Sequence, residues 1–76
     1  MSGKAFVLIE TAVGETKGVL SKLTELEGVK SADAVTGPYD IIAVIELESL
    51  NDIGELIDTR IHLVTGISRT VTCLAI

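Results

Sequence analysis

Leu26-Glu27-Gly28-Val29 (LEGV) returns 38 residues later as Val64-Thr65-Gly66-Ile67 (VTGI), and the reading of this stretch decides the fold. Each copy follows a segment whose apolar residues recur at helical spacing, and each precedes a β-branched run. A glycine just past the last periodic residue accepts the left-handed conformation that closes a helix. Each copy therefore marks a helix ending and a strand beginning. The same offset lays Ala5-Phe6-Val7 onto Ala43-Val44-Ile45. A strand-helix-strand unit repeated once in one compact sheet is the ferredoxin-like βαββαβ arrangement of an α+β domain. The pattern predicts a four-stranded antiparallel sheet, and right-handed crossovers put both helices on one face of it.

Upstream of Gly28, the spacing of Val19, Leu20, Leu23 and Leu26 predicts helix α1 over residues 14–26, with Glu15 suited to the positive end of the helix dipole. KAFVLIET, residues 4–11, is β-branched and too short for a buried helix, so it reads as strand β1. Residues 29–36 form β2. Gly37-Pro38 then breaks the chain, because proline cannot donate to a ladder, and residues 40–47 carry β3. Ser49, three residues before Asp52, is a suitable N-cap for helix α2, which carries Ile53, Leu56, Ile57, Ile61 and Val64 on one side and stops at Thr65-Gly66. Residues 67–76 supply β4.

Seventy-six residues make a single domain, 1–76, and a chain this short hides only about 60 per cent of its unfolded surface. Yet 47% of it is hydrophobic, with a mean hydropathy of +0.54. In β3, Ile42 and Val44 point one way while Ile41, Ala43, Ile45 and Leu47 point the other, so both faces of the strand are apolar. Helices cover only one face, so the other is expected to pack on the same face of a second copy, giving a homodimer as the smallest stable unit. A formal net charge of −5 repels phosphate backbones and argues against direct nucleic-acid binding. The longest apolar run, Ile41 to Ile45, cannot cross a bilayer, and the N-terminal stretch lacks the pattern of a secretory signal. With a single cysteine, these features suggest a cytoplasmic protein.

Catalytic constellations are hard to assemble from these residues. His62 is the one histidine, placed near the end of α2, and reads as a surface group favoured by the helix C-terminal dipole. Cys73 sits among apolar neighbours on β4 and reads as a buried small hydrophobe. Gly14 and Gly18 lack the third glycine of a dinucleotide loop. No zinc-ligand spacing is present, so neither catalytic residues, metal nor cofactor are expected. What remains is the corner between β2 and β3. Gly37 permits an unusual backbone angle, Tyr39 offers a flat wall with a hydroxyl, and Asp40 a carboxylate able to accept from an ammonium group. Ser68, Thr70 and Thr72 alternate on β4 as a stripe of hydroxyls. The plain alternative is equally open: Gly-Pro makes the turn, Asp40 caps it, and the hydroxyls are ordinary strand formers.

With the order of elements, the helix-ending EGV and TGI, the Gly37-Pro38-Tyr39-Asp40 corner and the final strand Ser68-Arg69-Thr70-Val71-Thr72, the whole chain resembles the Lrp/AsnC ligand-binding domain, also called the RAM domain. The resemblance implies a stand-alone form without the helix-turn-helix of full-length regulators. It further implies dimers joined through their sheets, assembly into octameric or similar rings, and a small amino-acid effector held between dimers. A DNA-binding relative is an implied partner, through mixed oligomers that modulate transcription. Gly37, Tyr39 and Asp40 would hold the effector-loop positions, and Thr70 and Thr72 those on the last strand; Pro38 departs from this pattern by removing one amide donor. Two other classes share the element order. A dimeric α/β-barrel enzyme of monooxygenase type would enclose a polar or aromatic cavity, for which this chain has one Phe, one Tyr and no Trp. An ACT-like regulatory domain would pair its sheets side by side.

Overall fold

The computed structural model describes residues 3–76; Met1 and Ser2 of the expected domain lie outside the described residues. The observed order is β1 (Gly3–Thr11), α1 (Thr16–Glu25), β2 (Val29–Ala34), β3 (Ile41–Leu47), α2 (Leu50–Thr59), a 3-10 turn (Ile61–Leu63) and β4 (Ile67–Leu74). The strands form one sheet in the order β2-β3-β1-β4, with every neighbouring pair antiparallel. This is the ferredoxin-like arrangement that the repeat implied. The two stretches that match at the 38-residue offset become the two central strands and pair with each other, Ala5 with Ile45, Phe6 with Val44 and Val7 with Ala43. The repeat in sequence is thus an approximate two-fold in space.

Both helices lie on one face. Ala5, Val7, Ile9, Ile41, Ala43 and Ile45 of the sheet are fully buried against Val19 and Leu23 of α1 and Ile53 and Ile57 of α2. Among the described residues, no polar or charged side chain is buried in this core. The helix-ending glycines behave as the repeat required. Gly28 and Gly66 have φ of +99° and +102°, and a Cβ at Gly66 would come within 2.9 Å of Glu15 Cβ and Val19 Cγ2. At the far end of the sheet the two chain ends run side by side, with Ala75 N donating to the Lys4 carbonyl at 2.9 Å.

The second helix departs from expectation at its end. Ser49 caps it as read, its hydroxyl accepting from Asp52 N at 3.2 Å. The α-helix stops at Thr59, however, because Arg60 leaves helical geometry (φ −126°, ψ −56°) and the chain tightens into the 3-10 turn. Ile61 continues the i, i+4, i+8 spacing of Ile53 and Ile57, and within the 3-10 turn it is fully buried. β4 likewise ends at Leu74, not at the last residue.

The other face of the sheet is uncovered. Register puts Phe6, Leu8, Ile42, Val44, Val71 and Cys73 on it. Phe6 is 37% exposed, and the ion pairs Lys30–Glu46 and Arg69–Glu10, each at 3.6 Å, edge the patch. Cys73 is therefore exposed, which corrects its reading as a buried hydrophobe: it pairs with Phe6 on the open face, away from the helices.

Candidate functional site

The β2–β3 corner is built around Asp40. Its backbone N–H donates to the Ile9 carbonyl and its carbonyl accepts from Val35 N–H, both at 2.9 Å. Its carboxylate Oδ2 accepts from the Thr11 N–H at 2.8 Å. The side chain thus satisfies a backbone donor at the end of β1, where the β1–β4 register shifts between Glu10 and Thr11. The side chain therefore holds β1 and does not cap its own turn, which is closed by the backbone bond from Val35 N–H to the Asp40 carbonyl. The Thr11 bond leaves Oδ1, and the remaining lone pairs of a carboxylate, available to another donor.

Gly37 sits at the tip with φ +126°, and a Cβ built on it meets nothing within 4 Å. The backbone there needs glycine for its conformation, while the space around it is open. Tyr39 is half-buried between this tip and Asp40 in the chain. Gly37, Tyr39 and Asp40 thus occupy one corner, as read.

Thr70 reaches the same end of the sheet from the other side. It pairs with Ile9, the residue whose carbonyl Asp40 binds, so Asp40 and Thr70 flank β1. The Thr70 hydroxyl lies 3.2 Å from His62 Nε2. Thr72 is two residues further along, opposite Val7, and opens into a different hollow of about 300 Å³ with Leu50, Ile53, Gly54, Ile57, Asp58 and Leu74. Within one subunit Thr70 is therefore separated from Asp40 by the width of β1, and Thr72 lies two residues further along β4.

His62 is exposed, in keeping with its reading as a surface group. The structure places its Nδ1 3.8 Å from Asp58 Oδ1, four residues earlier. The signal was in the sequence: Asp58 and His62 stand at the separation that juxtaposes side chains on a helix. A hollow of about 420 Å³ holds none of the expected site residues. It lies where the C-terminal end of α1 faces α2, and Glu25, Glu27, Asp52 and Glu55 line it with Arg60 as their one cation. Such a charge set repels the carboxylate of an amino acid, which speaks against this hollow as the effector site. Among the described residues, no group of three or more His, Cys, Asp or Glu is placed to hold a metal ion, and no helix is long and apolar enough to cross a membrane.

Comparison with known proteins adds the following. The sequence model of the Lrp/AsnC ligand binding domain matches residues 4–76. A crystal structure of a hypothetical protein from Pyrococcus horikoshii superposes with a TM-score of 0.91 at 37% identity, covering 100% of this chain and 90% of that one. Escherichia coli AsnC shares the fold at TM-score 0.91 and 23% identity, over 97% of this chain and 50% of its own. A feast or famine regulatory protein from M. tuberculosis, crystallised with L-methionine, does so at TM-score 0.82 and 21% identity, again over 97% of this chain and 50% of that one. Among curated proteins, a homocitrate synthase from Sulfurisphaera tokodaii is 33% identical over 61 residues, which are 80% of this chain and 13% of that enzyme.

Proposed function

The chain belongs to the Lrp/AsnC ligand-binding domain family, and from that premise we propose that it senses a small amino acid at an interface between dimers and so controls its own assembly. The observation that carries this reading is the family match over residues 4–76, with the Gly37–Asp40 corner kept open at the family's effector position. Asp40 would take the ammonium group on the oxygen that Thr11 leaves unused, Tyr39 would wall the ligand, and Thr70 and Thr72 would supply hydroxyls from β4, Thr72 towards a neighbouring dimer. The L-methionine in the M. tuberculosis relative supports the ligand class.

Dimers would form through the open sheet face and join into an octamer or similar ring. A ligand shifts such an equilibrium only by binding one assembly more tightly than another, so the site belongs at a contact that exists in the ring and not in the dimer. With a net charge of −5, contact with DNA would fall to a DNA-binding relative recruited into mixed oligomers, and the chain itself would modulate transcription in the cytoplasm without catalysing a reaction. The homocitrate synthase match favours a second reading, in which the same module regulates a biosynthetic enzyme, the amino acid again being the signal.

Light scattering after gel filtration, without ligand and with the common amino acids, followed by titration calorimetry on each, tests the sensing claim. An unchanged mass together with no heat from any amino acid defeats it. Asp40→Asn separates binding from folding, because the amide oxygen still accepts from Thr11 N–H while the charge is gone. Affinity should fall roughly ten- to a hundredfold, the range for a hydrogen bond to a charged group. The thermal midpoint should stay close to that of the parent chain.

A further inference from the structure

The sheet ends in two free edges, β2 and β4, and they differ in how they are guarded. β2 carries Lys30 and Asp33, its register against β3 shifts between Val29 and Ser31, and Lys30 is tied to Glu46 at 3.6 Å. Charges and irregularities of this kind keep an edge strand from pairing with another chain. β4 has no such guard: from Thr70 to Leu74 it reads Thr-Val-Thr-Cys-Leu, with no charge, proline or glycine, and Ala75 and Ile76 continue the run. We infer that this edge pairs antiparallel with the same edge of a second copy, and that the pairing is the contact that joins one dimer to the next. The inference deepens the assembly reading above, from which it takes the dimer, and it needs no effector.

The ladder fixes which residues can receive a new strand. Ala75 N–H donates to the Lys4 carbonyl at 2.9 Å, so these two form a hydrogen-bonded pair, and by alternation so do Phe6 with Cys73 and Leu8 with Val71. Thr70, Thr72 and Leu74 therefore turn their N–H and C=O groups outward. Among the described residues no backbone bond reaches them from that side. A two-fold axis at Cys73 satisfies them: Thr72 meets the second copy's Leu74, Leu74 meets its Thr72, and each pair exchanges both of its N–H···O bonds. No like charges come together along the paired run.

Side chains decide the register. Leu50, Gly54, Ile57, Thr72 and Leu74 surround the hollow of about 300 Å³ on the helix side of β4. Leu50 and Leu74 are 56% and 50% exposed, so the walls of this hollow are apolar surface still open to water. Gly54 stands inside α2, where glycine weakens a helix, and a Cβ on it would meet nothing within 4 Å, so nothing in the subunit calls for it. Residues directly opposite in a ladder share a face. With the axis at Cys73, the second copy's Leu74 lies opposite Thr72 and enters the hollow, while this chain's Leu74 enters the other. An axis at Thr72 would set two threonines against each other and leave the space unfilled.

In this register the two Cys73 residues form a non-hydrogen-bonded pair about 4.5 Å apart at Cα, within disulfide range. Diamide, which takes up the two thiol hydrogens as the sulfurs join, should convert the protein to covalently linked pairs of chains. Thr72→Pro is the deciding variant, because the N–H it removes points outward and the β1–β4 ladder keeps its bonds. It should bring the mass in light scattering down to that of the dimer and cut cross-linking roughly tenfold, with a thermal midpoint near that of the parent chain. Gly54→Leu, which fills the hollow from the helix, should also lower the mass while raising the thermal midpoint, a combination that damage to the fold does not give. No cross-link in the parent chain overturns the inference, as does a Thr72→Pro chain with unchanged mass and cross-linking. A parent that is already a two-chain particle and stays so in Thr72→Pro leaves the face-to-face dimer standing and the edge pairing refuted. A Thr72→Pro protein that falls to single chains supports the edge pairing and defeats the face-to-face reading instead.

Discussion

At Gly66 a methyl group has nowhere to go: φ is +102°, and the new Cβ would lie 2.9 Å from both Glu15 Cβ and Val19 Cγ2. At Gly37 φ is also positive, +126°, but the space is empty. The two positions separate backbone strain from crowding. Gly37→Ala should cost about 1–3 kcal/mol from the backbone alone. Gly66→Ala adds an overpacking penalty of similar size, for a total of about 3 kcal/mol or more. Urea unfolding of the two variants checks the order, and equal losses would mean that Val19 and Glu15 give way freely. The contrast also bears on the corner, since at Gly37 no atom crowds the site and the glycine serves the path of the chain.

Among the elements, α2 is instructive because its two ends obey different kinds of rule. Its start is local chemistry, Ser49 accepting from Asp52 N, and Ser49→Ala should lower stability by about 1 kcal/mol in a thermal or urea melt. A loss near zero would show that water replaces the cap. That start was legible in the sequence for the same reason: the donor and acceptor are three residues apart. The end was not, because the apolar spacing of Ile53, Ile57 and Ile61 runs straight through the point where the chain leaves the α-helix after Thr59 and gives no sign of the change. Cys73 was misplaced by a related ambiguity. Its neighbours are apolar on both sides of the strand, and only the register with Phe6 shows which face it takes. The corner was legible from Gly37-Pro38, and Asp58–His62 from spacing. The contact of His62 with Thr70 joins two elements across a loop, and no periodicity encodes it.

For the molecule as a whole, the accessible surface is 4904 Å², against roughly 4,450 Å² for a folded monomer of 8.0 kDa by the usual scaling. The excess fits a subunit that presents an apolar sheet face where a second copy would sit. Val44 is central in that face, opposite Phe6. Val44→Lys should halve the dimer mass in light scattering and leave the circular dichroism unchanged; an intact dimer would show that the open face is not the interface. The bond between Ala75 N and the Lys4 carbonyl has its own consequence for how such a domain can be used. Entry and exit of the chain lie together, at the end of the sheet away from the corner, separated from it by about 20 Å of strand at 3.3 Å per residue. A cargo protein could be tethered at either terminus, or the whole unit spliced into a surface loop, with both connections leaving through one doorway and the Gly37 tip unobstructed at the opposite pole.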